Sequence, residues 1–339
     1  MKLFPRSLPR LAAARPAAAP ETQAEPVQAQ PAAPARILLH IGGPKTATST
    51  IQRWMNANRR PLRRAGIGLL SPRDLRHAGI FASCTGYVLG RSETPDASAL
   101  RAALLGTGQA ATLASEETLT NFFIPGHSDG RSGFAGIDRL VTYLESMALP
   151  ELQILLTVRR QDRFLRSSYA HRVKRNGVSL DFGDWLEAQA DLEDLSWLGV
   201  TELLDAAFGA ENVSVVPFEM LEAADDAALY ARCLAPLGAS AEGHRVPTIR
   251  KANAGLGDAA LEAVRLLNGL PLRDAAAERE RAALIGEIEA FAAEQGDGPA
   301  RPEMAALTEF CRARYGAENA ALAARKFPDL RTSFDFTAT

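Results

Sequence analysis

The stretch "ILLHIGGPKTATST", residues 37–50, decides the fold of this chain. It passes from an apolar run, typical of a buried strand, into a short loop in which Lys45 stands among threonines and serines. A strand that enters a helix through a tight loop gathers free backbone N–H groups at the positive end of the helix dipole. The stretch therefore predicts an anion site at the point where the first strand ends.

Short apolar runs recur along the chain and alternate with segments whose apolar residues have helical spacing. Ile51, Trp54 and Met55, for example, fall on one face of a helix. Continuous apolar strands separated by helices favour a parallel sheet covered on both faces. We therefore predict an α/β fold with a P-loop-type parallel sheet flanked by helices. The predicted strands are residues 37–41, 66–70, 111–114, 152–158 and 213–217.

A second strand predicted to turn into a helix lies in "LLTVRRQDRFLRSSYAHRVKRN", residues 155–176. Asp162 is a candidate N-cap for this helix. Arg159 at the strand end and Ser167 in the second helical turn are placed to bind one anion together. The alternative interpretation is a solvated face in which the arginines pair with Asp162. The predicted core-facing residues are Leu165, Tyr169 and Val173.

The remaining segments divide the chain into regions of different character. Residues 1–35 are rich in Ala and Pro and predict a disordered leader, with a short basic membrane anchor at residues 1–15 as the weaker alternative. From about residue 255 the pattern is helical, which predicts a helical C-terminal cap over residues 282–293 and 302–325 within a domain of residues 36–327. Residues 71–109, 120–135 and the tail 328–339 lack clear periodicity, and we predict loops for the first two.

Charge and cysteine content exclude several classes of partner. The net charge of −2 and the pI of about 6.3 do not indicate the excess of basic residues that nucleic-acid-binding proteins have. No stretch approaches the roughly 20 apolar residues that span a bilayer. The cysteines are scattered and match no metal or redox spacing, so they indicate buried thiols in a cytoplasmic, reducing setting. They are Cys84, Cys233 and Cys311.

The loop does not have the pattern of a nucleoside triphosphatase. In that pattern, G-x-x-x-x-G-K-[ST], the lysine follows the last glycine, whereas Lys45 comes early here. The run 152–158 ends in Arg159 and Arg160 and not in an acid that could hold Mg²⁺. No metal is therefore expected. A polar helix start with a capping threonine remains an alternative for this loop.

Two motifs resemble those of PAPS-dependent sulfotransferases, where PAPS is 3′-phosphoadenosine 5′-phosphosulfate. "PKTATSTIQ", residues 44–52, resembles their 5′-phosphosulfate loop, and "RRQDRFLRSSY", residues 159–169, resembles their 3′-phosphate motif. The segments "VSVVPFEML", residues 213–221, and "YGAENAALAARKF", residues 315–327, are similar to later parts of bacterial members. The family usually has glycine where this chain has Ala47, and alanine would be strained there if φ were positive.

The resemblance implies transfer of a sulfuryl group from PAPS to an acceptor hydroxyl, with a glycan or glycolipid as the leading acceptor and PAP as the product. Lys45 would stabilise the charge that develops on the leaving oxygen. Glu116, at the end of the third strand, is the first candidate for the general base, and His77 is the second. Arg159 and Ser167 would contact the 3′-phosphate. Lys251 is a further candidate contact of the cofactor, with a solvated basic loop as the alternative. The implied loop contacts are Gly43, Pro44, Lys45, Thr46, Ala47, Thr48 and Ser49.

Other functions remain open at this stage. Glu117 is expected at the surface. A small-molecule kinase of the P-loop class and a non-catalytic PAP-binding relative are the alternatives to a sulfotransferase. The kinase is disfavoured by the position of Lys45 and by the arginine at the end of the fourth strand, whereas Ala47 is the feature that supports a non-catalytic relative.

Overall fold

A single parallel sheet organises the chain in the computed structural model. Within the described residues the sheet has five strands in the order β2, β3, β1, β4, β5. The strands are β1 Arg36–His40, β2 Ile67–Leu70, β3 Ala111–Ser115, β4 Leu152–Val158 and β5 Val213–Pro217. The described residues are 36–77, 79–124, 134, 136–149, 152–188, 194–221, 226–245, 256–295, 302–330 and 332–336.

The central strand β1 explains why the sheet is parallel and covered on both faces. Leu39 lies opposite Ala114 of β3 and Ile154 of β4, so β1 is paired along both edges. Side chains of a strand alternate between faces. Leu38 packs into one apolar core, whereas Leu39 and its neighbours of the same parity pack into the other. Both faces are therefore buried, and the prediction of an α/β sheet flanked by helices is confirmed.

Helices connect the strands and cover the sheet. The helix that follows β1 buries Ile51, Trp54 and Met55, and the Trp54 ring stacks on Tyr230 at 4.4 Å. The helices are α1 Thr48–Ala57, α2 Arg59–Arg64, α3 Pro72–His77, α4 Ile80–Val88, α5 Ser98–Leu105, α6 Ile137–Glu145, α7 Gln161–Asn176, α8 Phe182–Glu187, α9 Trp197–Phe208, α10 Asp226–Leu234, α11 Asp258–Asn268, α12 Ala275–Gln295 and α13 Pro302–Lys326.

The predicted C-terminal helices are present and divide into two groups. Helices α11 and α12 pack together, and α11 also packs on α7, where Leu261 and Val264 are buried with Tyr169. Helix α13 instead buries Tyr315 and Leu322 in the core that contains β1. Phe334, in the predicted tail, is also buried there and contacts Phe327. The last part of the chain therefore contributes to the main core as well as capping it.

Two expectations about local structure were wrong. The segment 71–109 is not a loop, because α3, α4 and α5 form there and bury Ile80 and Leu100 in the core. Asp162 is not the N-cap of α7, since the helix begins at Gln161 and its cap residue is Arg160. Asp162 is buried and accepts hydrogen bonds from the Arg160 guanidinium instead. A buried partner outweighs the capping preference of the carboxylate.

The prediction that the cysteines are buried is confirmed, and two other expectations fall wholly or mostly outside the described residues. Cys84, Cys233 and Cys311 are all buried free thiols. Residues 1–35 lie outside the described residues, as does most of the predicted loop 120–135. The described part of that loop is a 3-10 helix, Glu117–Phe123. Other short 3-10 helices are Ala210–Asn212, Phe218–Leu221, Ala235–Leu237 and Ser333–Asp335.

Candidate functional site

The loop from β1 to α1 turns sharply through two left-handed residues. Lys45 has φ of 68° and Ala47 has φ of 76°. Ala47 occupies the N-cap position of α1 and makes no side-chain cap. The first turn of a helix leaves backbone N–H groups without intrahelical partners. An uncapped α1 therefore presents these donors at the carboxyl edge of the sheet, as an anion site requires.

Ala47→Gly is expected to stabilise the protein by about 0.5–1 kcal/mol. The left-handed conformation costs an L-residue about 1–2 kcal/mol, and the greater freedom of glycine in the unfolded chain offsets part of the gain. Urea unfolding of wild type and variant measures the difference. Ala148→Gly is the matched control, because exposed Ala148 has φ of 49° far from this loop in sequence. A gain for Ala148→Gly alone would contradict the left-handed conformation at Ala47.

A chain of buried polar side chains runs beneath the loop and joins three strand ends. Gln52 of α1 donates to Ser115 Oγ over 3.2 Å, and Ser115 Oγ is 2.9 Å from His40 Nδ1. His40 Nε2 contacts Thr157 Oγ1 at 3.4 Å, and Thr157 is 2.7 Å from Thr46 Oγ1. The chain thus connects α1, β3, β1, β4 and the loop, and it holds the loop against the sheet.

Gly42 is required by the same close packing. A Cβ atom on Gly42 would lie 2.0 Å from Thr157 Oγ1 and 2.4 Å from His40 Nε2. Both distances are shorter than the 3.0 Å that Cβ atoms in proteins keep from other heavy atoms. The backbone of the loop therefore reaches the polar chain only because this residue has no side chain.

His40 makes stability depend on pH. Burial lowers the pKa of His40 from 6.5 to about 3. The unfolded chain therefore binds a proton that the folded chain does not, and stability falls as pH falls below about 6.5 toward 3. Between pH 7 and pH 5 the expected loss is about 2 kcal/mol, because the slope reaches 1.36 kcal/mol per pH unit only once the histidine of the unfolded chain is fully protonated.

This loss should disappear in His40→Asn, whose amide can still bond Ser115. Urea unfolding at pH 7 and pH 5 measures the difference between the two pH values, so a constant cost of the substitution cancels. His77→Asn is the matched control, because His77 is exposed. An unchanged pH slope in His40→Asn would contradict the assignment of the effect to His40.

Arg159 binds the loop from the neighbouring strand. It follows β4, and its Nη1 donates to the Lys45 carbonyl over 3.1 Å. The guanidinium stacks on the Phe218 ring at 3.9 Å, and the Arg159 carbonyl accepts from Trp197 Nε1. Arg159 therefore contacts the loop between β1 and α1, and the Phe218 ring sets the plane of its guanidinium.

The start of α7 is held by a buried acid from the segment after β5. The Arg160 backbone N–H donates to Glu219 Oε1 over 3.0 Å. Burial raises the pKa of Glu219, although this hydrogen bond and the charges of Arg159 and Arg163 act in the opposite direction. Ser167 is half-buried in α7, eight residues beyond Arg159. Glu219 thus holds the start of the helix that carries Ser167, directly after Arg159.

Several charges surround the ammonium of Lys45. Burial lowers the pKa of Lys45, the charge of Glu117 raises it, and Lys174, Arg175 and Arg159 lower it further. A partly desolvated lysine with cations around it is a favourable place for an anion, because a bound anion relieves the repulsion between them. Three cations and one carboxylate therefore act on the Lys45 ammonium, although the net charge of the whole chain is −2.

Glu116 is buried, and its carboxylate oxygens already have hydrogen-bond partners. Its backbone N–H continues the ladder of β3 to the His40 carbonyl. The carboxylate pairs with Arg76 at 3.2 Å and accepts from the Thr118 amide at 3.0 Å and the Thr118 hydroxyl at 2.7 Å. Only 1% of the residue is exposed. Its oxygens therefore accept hydrogen bonds from Arg76 and cap the following 3-10 helix.

Glu117, expected at the surface, is half-buried and faces the loop. Burial and the charge of Glu116 raise the pKa of Glu117, while a hydrogen bond from Thr48 and the charges of Arg76 and Lys45 lower it. Thr120 anchors the same 3-10 helix to the loop by donating to the Ile41 and Gly42 carbonyls, each over 3.1 Å. Glu117 is therefore a half-buried carboxylate whose charge interacts with that of Lys45.

The other predicted residues have different outcomes. His77 is the last residue of α3, and its Nδ1 lies 2.6 Å from the Arg73 carbonyl. Lys251 lies outside the described residues. Residues that the sequence analysis missed are Arg76, Thr157, Trp197 and Phe218, which contact predicted site residues from elsewhere in the chain. Only proximity in space could have identified them.

Comparisons with known proteins found a similarity in structure alone. No family model matches the chain, and no curated protein matches it. A solved structure that is similar is the sulfotransferase from Alicyclobacillus acidocaldarius, with 17% identity and a TM-score of 0.42. The match covers 75% of this chain and 92% of that one. The function proposed below therefore depends on the residues of this chain.

Searches for a membrane span and for a metal site give two further findings. In the ranges that the structure describes, no helix is long and apolar enough to cross a bilayer. The same ranges contain no group of three or more His, Cys, Asp or Glu side chains arranged to hold a metal ion.

Proposed function

We propose that this protein transfers a sulfuryl group from PAPS to an acceptor hydroxyl. The observation that supports this best is the contact between Arg159 and the Lys45 carbonyl at the uncapped start of α1. In this proposal the contact joins two anion-binding elements that follow adjacent strands. An adenosine nucleotide with separate 5′ and 3′ anionic groups matches such a pair, since each group meets its own cation and helix start.

Each residue has a separate task in this proposal. The loop from Gly43 to Ser49, with Lys45, would hold the 5′-phosphosulfate, and Arg159 with Ser167 would hold the 3′-phosphate. PAPS supplies the sulfuryl group. Lys45 and the N–H groups of α1 stabilise the charge on the leaving oxygen as its bond to sulfur breaks. A carboxylate takes the proton of the acceptor hydroxyl as the new bond to sulfur forms.

We propose Glu117 as this carboxylate, ahead of the sequence candidates Glu116 and His77. The oxygens of Glu116 already accept from Arg76 and Thr118. The charges of Glu117 and Lys45 interact, and burial raises the pKa of Glu117, which makes it a stronger base.

Glu117→Gln should therefore lower turnover about 10²-fold or more while PAP still binds. Glu116→Gln leaves its partner Arg76 unpaired. It should lower the stability of the protein while the turnover of each folded molecule changes little. His77→Ala should change turnover little. Rates with labelled PAPS, PAP affinity by calorimetry and thermal melting of the variants separate these effects. A selective loss of turnover in Glu116→Gln or His77→Ala would move the base to that residue.

Nucleotide titration tests the whole proposal. Wild type should bind PAP without Mg²⁺, and labelled PAPS incubated with a fractionated lysate should label an acceptor. Binding of ATP that requires Mg²⁺ would favour a small-molecule kinase, and PAP binding without any labelled acceptor would favour a non-catalytic relative. A glycan or glycolipid remains the proposed acceptor class, and the cytoplasm the proposed location.

A further inference from the structure

A cavity of about 670 Å³ opens beside α1, between this helix and α3. Gln52 and Arg53 line it from the face of α1 that points away from the core. Arg73, Arg76 and His77 line it from α3. A larger cavity, of about 780 Å³, lies at the opposite edge of the sheet, where Arg36 and Ala111 begin their strands. Only the first cavity is near the carboxyl ends of the strands.

The cavity beside α1 carries an excess of positive charge. Among the described residues, three arginines line it and no aspartate or glutamate does. Arg76 is paired with Glu116, whereas Arg53 and Arg73 are exposed and have no ion pair within the described part of the chain. Asp74, the acid of α3, is engaged by Arg59 and by Ser71. Two guanidinium groups are therefore available to an anion from solvent.

This cavity shares a wall with the proposed transfer site. Ser49 belongs to the first turn of α1 and also lines the cavity. Gln52 donates to Ser115 at the end of β3, and Arg76 reaches Glu116 one residue further on. A molecule in the cavity would thus lie against the strand end that carries the proposed base. This is where an acceptor must approach.

We propose that the cavity binds the acceptor and that this acceptor is a carbohydrate bearing carboxylate or sulfate groups. Guanidinium groups form paired hydrogen bonds with both kinds of group. Asn56 and Gln52 supply the amide donors and acceptors that sugar hydroxyls use. The described lining contains no Phe, Tyr or Trp ring on which a phenol could stack. The inference rests on the proposed function, because a carbohydrate bound here is an acceptor only if the protein transfers a sulfuryl group.

Calorimetry with defined tetrasaccharides tests the inference. The probes are a neutral glucose tetrasaccharide, one in which two units are glucuronate, and a sulfated one, each titrated into the full chain with excess PAP. Both charged probes should bind more tightly than the neutral one. The double variant Arg53→Glu, Arg73→Glu should weaken their binding at least about tenfold, since a charged hydrogen bond contributes 10- to 100-fold. Binding of one charged probe alone would identify the anion that the cavity selects.

A matched pair of substitutions controls for net charge. Arg273 and Arg279 are exposed and line neither cavity, so Arg273→Glu, Arg279→Glu changes the charge equally without touching the cavity. Equal losses in the two double variants, or equal affinity for neutral and charged probes, would overturn the inference. PAP binding without tetrasaccharide binding would overturn it and leave the proposed function intact. Arginine-dependent tetrasaccharide binding without PAP binding would support the anionic cavity and remove the sulfotransferase proposal.

Discussion

Replacing Lys45 by methionine is expected to lower the rate of sulfuryl transfer about 10²-fold or more, the usual cost of losing one donor to a developing oxyanion. Methionine keeps most of the apolar stem and removes the charge. The ammonium is partly desolvated beside Glu117, where burial makes its interaction with a developing charge stronger than it would be in water. PAP affinity should fall less than turnover, because the charge on the leaving oxygen grows as the bond breaks.

The measurement is single-turnover transfer from labelled PAPS, with PAP affinity taken on the same samples. Lys45→Ala should give the same result, since alanine and lysine are equally strained at a φ of 68°. Lys174→Met is the comparison, because Lys174 acts on Lys45 through its charge but pairs with Glu289 outside the loop. An equal loss in Lys174→Met would mean that the general positive field matters and contact with Lys45 does not. Unchanged turnover in Lys45→Met would remove its assigned role.

Arg159→Ala is expected to reduce the preference for PAP over 5′-AMP by about 10- to 100-fold, the range for one hydrogen bond to a charged group. The two ligands differ only in the 3′-phosphate. Arg159 also donates to the Lys45 carbonyl and stacks on Phe218, so its loss should loosen the loop and weaken both ligands somewhat. The ratio of the two affinities removes this common effect.

Companion variants separate contact from packing. Ser167→Ala should reduce the ratio more mildly than Arg159→Ala. Phe218→Leu removes the ring beneath the guanidinium and should leave most of the ratio in place. Calorimetry with both nucleotides, and circular dichroism to check folding, provides the data. A ratio that survives Arg159→Ala would show that the 3′-phosphate is held elsewhere; Arg160 is a poor substitute, because Asp162 and the Phe336 ring engage its guanidinium.

The strands were predictable because each is a short, almost wholly apolar run. A strand buried on both faces can tolerate few polar side chains, so its composition alone identifies it. Strands β4 and β5 have the predicted bounds, and the other three differ by one residue. The helices of residues 71–109 were not predictable in this way. They span only six to nine residues, and helices of that length depend on tertiary packing more than on their own propensity.

The turn from β1 to α1 was likewise predictable from the sequence, because it needs only a strand, a helix start and a lysine close together along the chain. Which carboxylate stands beside that lysine was not visible. Glu116 and Glu117 are adjacent and chemically alike, and their environments differ because Arg76, 40 residues away, takes the first. The second is left beside Thr48 and Lys45.

The sequence by itself determined the five apolar strands, the two strand-to-helix turns and the cations placed at them, since each is encoded within about 20 consecutive residues. Tertiary structure decided the partners of those cations. Phe218 comes to Arg159, Trp197 holds the same turn, and His40 joins Ser115 to Thr157 across three strands. Such contacts depend on strand order, which brings residues from different strands together only when the sheet has formed. Local propensity and periodicity contain no information about that order.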